Sequence, residues 1–243
     1  MIWLNDKTGR FKKRPHYSPE ELDFECEKTI EIFLENKYQR YELPIITKDL
    51  TILIEQNTEN FDSCCDLSEE GDDVEGITYF GKNKKPVVKI SSRLQEVFLE
   101  NRLRTTLTHE FFHVKFHDFL YQIEEPPSLF DLQSNSLSSE NTHKCKRDNI
   151  IKASEKDWME WQAGYGCGAF LMPISKLKKV VHDFRTNFKI PFEISSLDSP
   201  YCQLLIFFVA QQFQTSDEAT KVRLMQKGFI IENSVQKSIS LTQ

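Results

Sequence analysis

The chain has 243 residues, and its 37 acidic and 31 basic side chains leave a formal net charge of −6, a balance that argues against a dedicated nucleic-acid binder. Its nineteen phenylalanines exclude a disordered chain and call for a hydrophobic core of one large or two small domains. No run approaches the ~18 apolar residues of a membrane span, and Met1 to Lys7 lack the basic-then-apolar order of a signal peptide, so the cytoplasm is the expected address and no membrane partner is expected.

In chain order, residues 1–17 form a basic arm, with Lys7, Arg10, Lys12, Lys13 and Arg14 against the single acid Asp6. A loose segment is expected there. Ser18, Pro19 and Glu21 then have the spacing of a capping box with proline at the first helical position. They predict a helix to about Tyr38, with Leu22, Cys26, Ile30 and Phe33 on one face. Leu50 to Ile54 reads either as a short strand or as the end of a helix begun near Asp49. Residues 55–75 hold nine acids and no Lys or Arg, the pattern of a solvated acidic surface or loop. Ile77–Phe80 and Val87–Ile90 are β-rich and flank a Gly- and Lys-containing turn, which predicts a hairpin.

A long helix is predicted from about Asn101 to Leu120, stopped by Pro126-Pro127. Residues 124–155 are polar and read as an insertion. A second important helix is predicted from about Lys156 to Met172, ending at Pro173. Helices near 175–187, 201–213 and 216–227 follow, the last with Thr215 and Glu218 in capping-box spacing and Gly228 as its stop. Residues 232–243 read as a tail. The six cysteines, Cys26, Cys64, Cys65, Cys145, Cys167 and Cys202, contain no CxxC pair and are expected to be free thiols.

The chemistry lies in Thr106-Leu107-Thr108-His109-Glu110-Phe111-Phe112-His113-Val114-Lys115-Phe116-His117, which contains HExxH. Residues i and i+4 stand one turn apart on one helical face, so His109 and His113 can aim imidazole nitrogens at one metal ion. Glu110 then sits where it can take a proton from an activated water without occupying a coordination position. The bland alternative is a chance match, since only three of the five positions are fixed.

A catalytic zinc has three protein ligands and one open position. His117 shares the helical face, but three successive turns cannot converge on one ion, so it is expected at the helix end or behind a ligand. Glu140 and His143 lie in the polar insertion and are weaker candidates. Glu160 stands on the apolar, aromatic segment Asp157-Trp158-Met159-Glu160-Trp161-Gln162-Ala163, where a carboxylate needs a partner and a metal supplies one. It is the preferred third ligand, with Glu155 as runner-up.

Thr106 to His117 resembles the HELGHxxxH core of the ImmA/IrrE-type metallopeptidases, and Glu160 to Pro173 (EWQAGYGCGAFLMP) is similar to that family's ExEANxFAxxLLMP signature. The resemblance extends to the hairpin at 76–90 and weakly to 215–230. It implies an α+β fold: a small twisted β-sheet packed on the HExxH helix, with additional C-terminal helices. It further implies one Zn2+ held by His109, His113 and Glu160, with Glu110 as general base. The domain reading is a metallopeptidase domain over 18–173 and a helical part over 174–231. The implied function is metallo-endopeptidase cleavage of a specific cytoplasmic protein, such as a helix-turn-helix repressor, and so control of transcription, often from mobile elements. Substrate is expected to add as a strand along the hairpin. A non-catalytic, antitoxin-like binding module and a structural zinc protein are the alternatives.

The chain departs from that pattern. Phe112 replaces a glycine, Gly164 an asparagine that orients a ligating histidine, and Gly166 a phenylalanine. One reading is a size exchange, with Phe111 or Phe112 packing on a glycine-lined face. Another is decay of the residues behind the ligands, with Asp157 as a candidate substitute for the asparagine. Tyr121 and Tyr165 are the candidate oxyanion stabilisers.

Overall fold

The computed structural model describes residues 1–122, 141–146, 157–190, 195–197 and 199–231. It mixes helices with small sheets and divides into two compact units, residues 1–16 with 47–167 and residues 17–46 with 168–243. This division differs from the one read in the sequence, which placed 18–173 together. No helix among the described residues is long and apolar enough to cross a membrane.

The first unit opens with an antiparallel hairpin, β1 (Ile2–Asn5) and β2 (Lys13–His16), where a loose arm was expected. Its order comes from Asp6. One carboxylate accepts from the Thr8 amide at 2.9 Å, the Phe11 amide at 3.0 Å and the Trp158 indole at 3.1 Å. The basic groups that suggested a solvated arm are partly used: Arg10 pairs with Asp157 at 2.7 Å and Arg14 lies over the Trp158 ring. Phe11 packs edge-on against Tyr121 and Trp158.

Helix α2 spans Thr47–Asn57, resolving the ambiguity at Leu50–Ile54 in favour of helix. A four-stranded sheet follows in the order β3-β5-β4-β6, made of β3 (Asn60–Cys65), β4 (Val74–Phe80), β5 (Val87–Ser91) and β6 (Asn141–Lys146). The predicted hairpin is β4–β5, antiparallel, with Asn83 at φ 59 in its turn. Gln122 clamps that turn by accepting from the Asn83 amide and donating to the Gly81 and Lys84 carbonyls at 2.8, 2.9 and 3.0 Å.

The expectation that this hairpin offers its edge to substrate is corrected, because β3 runs parallel along β5 and β6 antiparallel along β4. Strand β3 was hidden by its polarity. Within it Phe61, Ser63 and Cys65 are half-buried and alternate with exposed Asn60, Asp62 and Cys64, a period of two written almost without hydrophobic residues. Seven of the nine acids in 55–75 are exposed, whereas Glu75 is buried and paired with Arg102.

Helix α3 (Glu100–Phe116) carries the HExxH segment, and a short α4 (Asp118–Gln122) follows after a break at His117. Of the polar insertion only the backbone of β6 is described. Glu124, Glu125, Glu140 and the runner-up ligand Glu155 lie outside the described residues. Helix α5 spans Trp158–Leu171.

The second unit is helical: α1 (Pro19–Tyr38), α6 (Ile174–Phe188), α7 (Pro200–Phe213) and α8 (Asp217–Gln226), with a two-residue parallel pairing of β7 (Ser195–Ser196) and β8 (Ile230–Ile231). The capping box of α1 is present, with the Ser18 amide donating to Glu21 and the Glu21 amide to Ser18. Its predicted face, Leu22, Cys26, Ile30 and Phe33, is buried. Helix α1 joins the C-terminal helices through polar contacts as well. Glu27 accepts from the Ser175 amide at 3.2 Å, and Lys176 donates to the Tyr41 carbonyl at 3.2 Å. The cap of α8 is Ser216, not Thr215. Ser216 accepts from the Ala219 amide, while the Thr215 hydroxyl is buried against that of Thr220 at 2.7 Å.

A buried ionic contact of this unit centres on Asp23, which meets Arg223 and Lys227 at 2.6 Å each. Arg223 is 1% exposed and lies 3.4 Å from the Met172 carbonyl. Its guanidinium is held in the interior by an ion pair with Asp23, and removing one side of such a pair typically costs about 3–5 kcal/mol. Asp23→Ala should therefore lower the unfolding free energy by about that amount, read as a shift in denaturant midpoint with an unchanged slope.

Candidate metal centre

Helix α3 is buried on nearly all sides, from Leu103 to Val114. Such a helix must satisfy its polar side chains internally. Its threonines do so against their own backbone, Thr105, Thr106 and Thr108 donating to the carbonyls of Asn101, Arg102 and Arg104 at 2.8, 3.1 and 2.9 Å. The Thr106 hydroxyl also lies 3.3 Å from Glu75 on β4, whose carboxylate pairs with Arg102.

Three ligand-type side chains converge from two helices. His109 and His113, one turn apart on α3, bring their Nε2 atoms to 3.2 Å. From α5, Glu160 places Oε2 3.2 Å from His109 Nε2 and Oε1 3.4 Å from His113 Nε2. All three residues are buried, and no other group of this kind occurs among the described residues. The separations fit a metal. Ligand atoms about 2.0–2.1 Å from a tetrahedral zinc lie roughly 3.3–3.4 Å apart. Two imidazoles and a carboxylate also form the donor set of a catalytic zinc with one position left open. Burial pushes the His109 imidazole toward the neutral form. Its hydrogen bond to Glu160 and the charges of Glu160 and Glu110 outweigh this and leave its pKa raised, so the same negative potential that favours a proton favours a metal cation.

Glu110 is fully buried and accepts a 2.5 Å hydrogen bond from the Thr78 hydroxyl of β4. Beside it β4 has no side chain. A Cβ at Gly76 would stand 2.7 Å from Glu110 Oε1, so glycine here makes the room for the carboxylate. Thr78 and Gly76 were not singled out in the sequence. The only trace was a glycine opening a β-rich run, which marks a close approach.

The residues behind the ligands differ from expectation. Asp157 does not stand in for the missing asparagine. It caps α5 by accepting from the Met159 amide at 3.1 Å and pairs with Arg10. Among the described residues, His109 Nδ1 meets no hydrogen-bond partner. His113 is served by His117, their Nδ1 atoms 2.9 Å apart, and His117 Nε2 lies 3.1 Å from Gln162 Oε1. His117 is thus both the helix-end residue and the one behind a ligand. Tyr165 stacks on Trp161, whereas Tyr121 stacks on Phe80 with its hydroxyl pushed up to about 12 by burial and by Asp157.

Of the two aromatic rings weighed for a glycine-lined face, Phe112 is the one that packs on a glycine, Gly166. A Cβ on Gly166 would fall 1.9 Å from Cδ2 of Phe112. The Phe112 ring fills the space a side chain at 166 would take, and it stacks on Phe116 at 4.4 Å and meets His117 edge-on at 5.4 Å.

Comparison with protein-family models and with curated proteins found no match to this chain.

The Phe112–Gly166 fit makes a testable pair. Gly166→Ala should destabilise the protein by roughly 1–3 kcal/mol through overpacking, despite alanine's better helix propensity. In a Phe112→Leu background the same change should cost clearly less. A double-mutant cycle read by chemical denaturation checks this, and additive losses would show that the two positions do not share the space.

Proposed function

We propose that this chain is a zinc-dependent endopeptidase of the ImmA/IrrE type, acting on a specific protein substrate. The observation that carries the reading is the convergence of two imidazole Nε2 atoms and a buried carboxylate at metal-ligand separations, with a second buried carboxylate next to the first ligand in sequence. His109, His113 and Glu160 would hold the ion. When bound there, zinc supplies Lewis acidity at a single open position. Glu110 takes the proton of the attacking water and returns it to the leaving amine as the C–N bond breaks. Thr78 and Gly76 fix the Glu110 carboxylate for that transfer, so it needs no reorganisation during the reaction.

The alternative reading, a non-catalytic binding module on the same scaffold, draws support from one observation. The Thr78–Glu110 hydrogen bond ties α3 to β4 and gives Glu110 a structural use apart from catalysis. Glu110→Gln separates the two. It should keep about one zinc per chain, measured on purified protein, and lose cleavage. Glu160→Ala and His113→Ala should lose the metal itself. A Glu110→Gln protein that cuts a cognate substrate as fast as wild type would exclude the hydrolytic role.

With the outer sides of the hairpin already paired, substrate choice is assigned to charge. The exposed acids Asp62, Asp66, Glu69, Asp72 and Asp73 would attract a basic partner such as a DNA-binding repressor, and cleavage of it would alter transcription. Changing those acids to Asn and Gln should slow cleavage of a candidate repressor, with a difference from wild type that narrows as salt rises. Efficient digestion of casein by wild type would contradict this selectivity.

A further inference from the structure

A chain of hydrogen bonds leads from the proposed metal ligand His113 to the backbone of the N-terminal hairpin. Its direction is fixed at the far end. Gln162 lies 3.0 Å from the Pro15 carbonyl through Nε2, and a carbonyl oxygen can only accept. The NH2 of Gln162 must therefore face Pro15, which leaves Oε1, an acceptor, facing His117 Nε2 at 3.1 Å. His117 must carry its proton on Nε2. Its Nδ1, 2.9 Å from His113 Nδ1, is then a lone pair, so His113 must donate from Nδ1. In the neutral ring that leaves the lone pair of His113 on Nε2, the atom 3.4 Å from Glu160 Oε1 and 3.2 Å from His109 Nε2. Every side chain in the series is at most 1% exposed, so water is not there to scramble the pattern.

We infer that Gln162, held by the Pro15 carbonyl, is a positioning residue that acts through His117 to set the tautomer of His113, turning Nε2 into a metal-ready donor before any ion arrives. The inference rests on the metal-site reading above. It also gives β1–β2 a role: the hairpin supplies the terminal acceptor, and the Arg10–Asp157 pair and the Asp6–Trp158 hydrogen bond hold it against the start of α5. The role of the missing asparagine is filled, for His113, from the opposite end of the chain.

The test uses the full chain. Imidazole 15N shifts of metal-free protein in mildly alkaline buffer should report Nε2–H on His117 and Nδ1–H on His113. Gln162→Met, of similar volume and without donor or acceptor, should let both rings mix tautomers and weaken zinc binding about 10–100-fold, the usual effect of losing a partner behind a ligand. Unchanged tautomers and unchanged zinc affinity in Gln162→Met would overturn the inference. If wild type binds no zinc but shows the fixed tautomers, the metal reading fails and the hydrogen-bond chain stands. If zinc binds to a ring with unset tautomers, the chain fails and the metal reading stands.

Discussion

Burying α3 is the constraint from which the rest of the first unit follows. A helix enclosed on nearly all sides, with His117 capping its end, places three imidazoles, a carboxylate and three threonine hydroxyls where water cannot serve them. Each therefore needs a partner within the protein, because an unsatisfied buried polar group costs on the order of 1–3 kcal/mol. The threonines turn to their own helix. Glu110 reaches Thr78 on β4, and His117 reaches Gln162 on α5. His109, His113 and Glu160 turn toward one another instead, as a buried group that could hold a metal ion. The polar demands of a single helix thus dictate what the neighbouring strand and helix must present.

Much of this was legible in the sequence where the signal was local. The capping box at Ser18, the apolar face of α1, the β4–β5 hairpin and the four-residue spacing of His109 and His113 are each set by residues close together in the chain. Glu160 was legible for another reason: a carboxylate among Trp158, Met159 and Trp161 is an electrostatic anomaly wherever it folds. The long-range partners were not legible. Nothing local marks Thr78 as the residue that will meet Glu110, or Pro15 as the carbonyl that will meet Gln162. The basic arm misled because Lys and Arg read as solvated, whereas Asp6 and Asp157 impose order on it from within and from far along the chain. Strand β3 misled because its alternation is carried by Ser and Cys rather than by Val and Ile.

The second unit is organised by a parallel logic with a different group at its centre. Asp23 on α1 receives Arg223 and Lys227 from α8 and its end, and Arg223 also reaches the Met172 carbonyl. One carboxylate thus links the start of that unit to its last helix. This explains why α1 groups with C-terminal helices more than a hundred residues away rather than with the sheet that follows it.

The interlock of Phe112 with Gly166 has a consequence for how such a chain can diverge. The two positions share one volume, so neither can drift alone. Adding a side chain at 166 first drives it into the ring, and trimming 112 first leaves a void beside His117. Either single change carries a packing cost that a change at the other position relieves, so the two change most easily together or through intermediate sizes. What the packed interior fixes at this point is one quantity, the sum of two side-chain volumes, rather than either residue by itself.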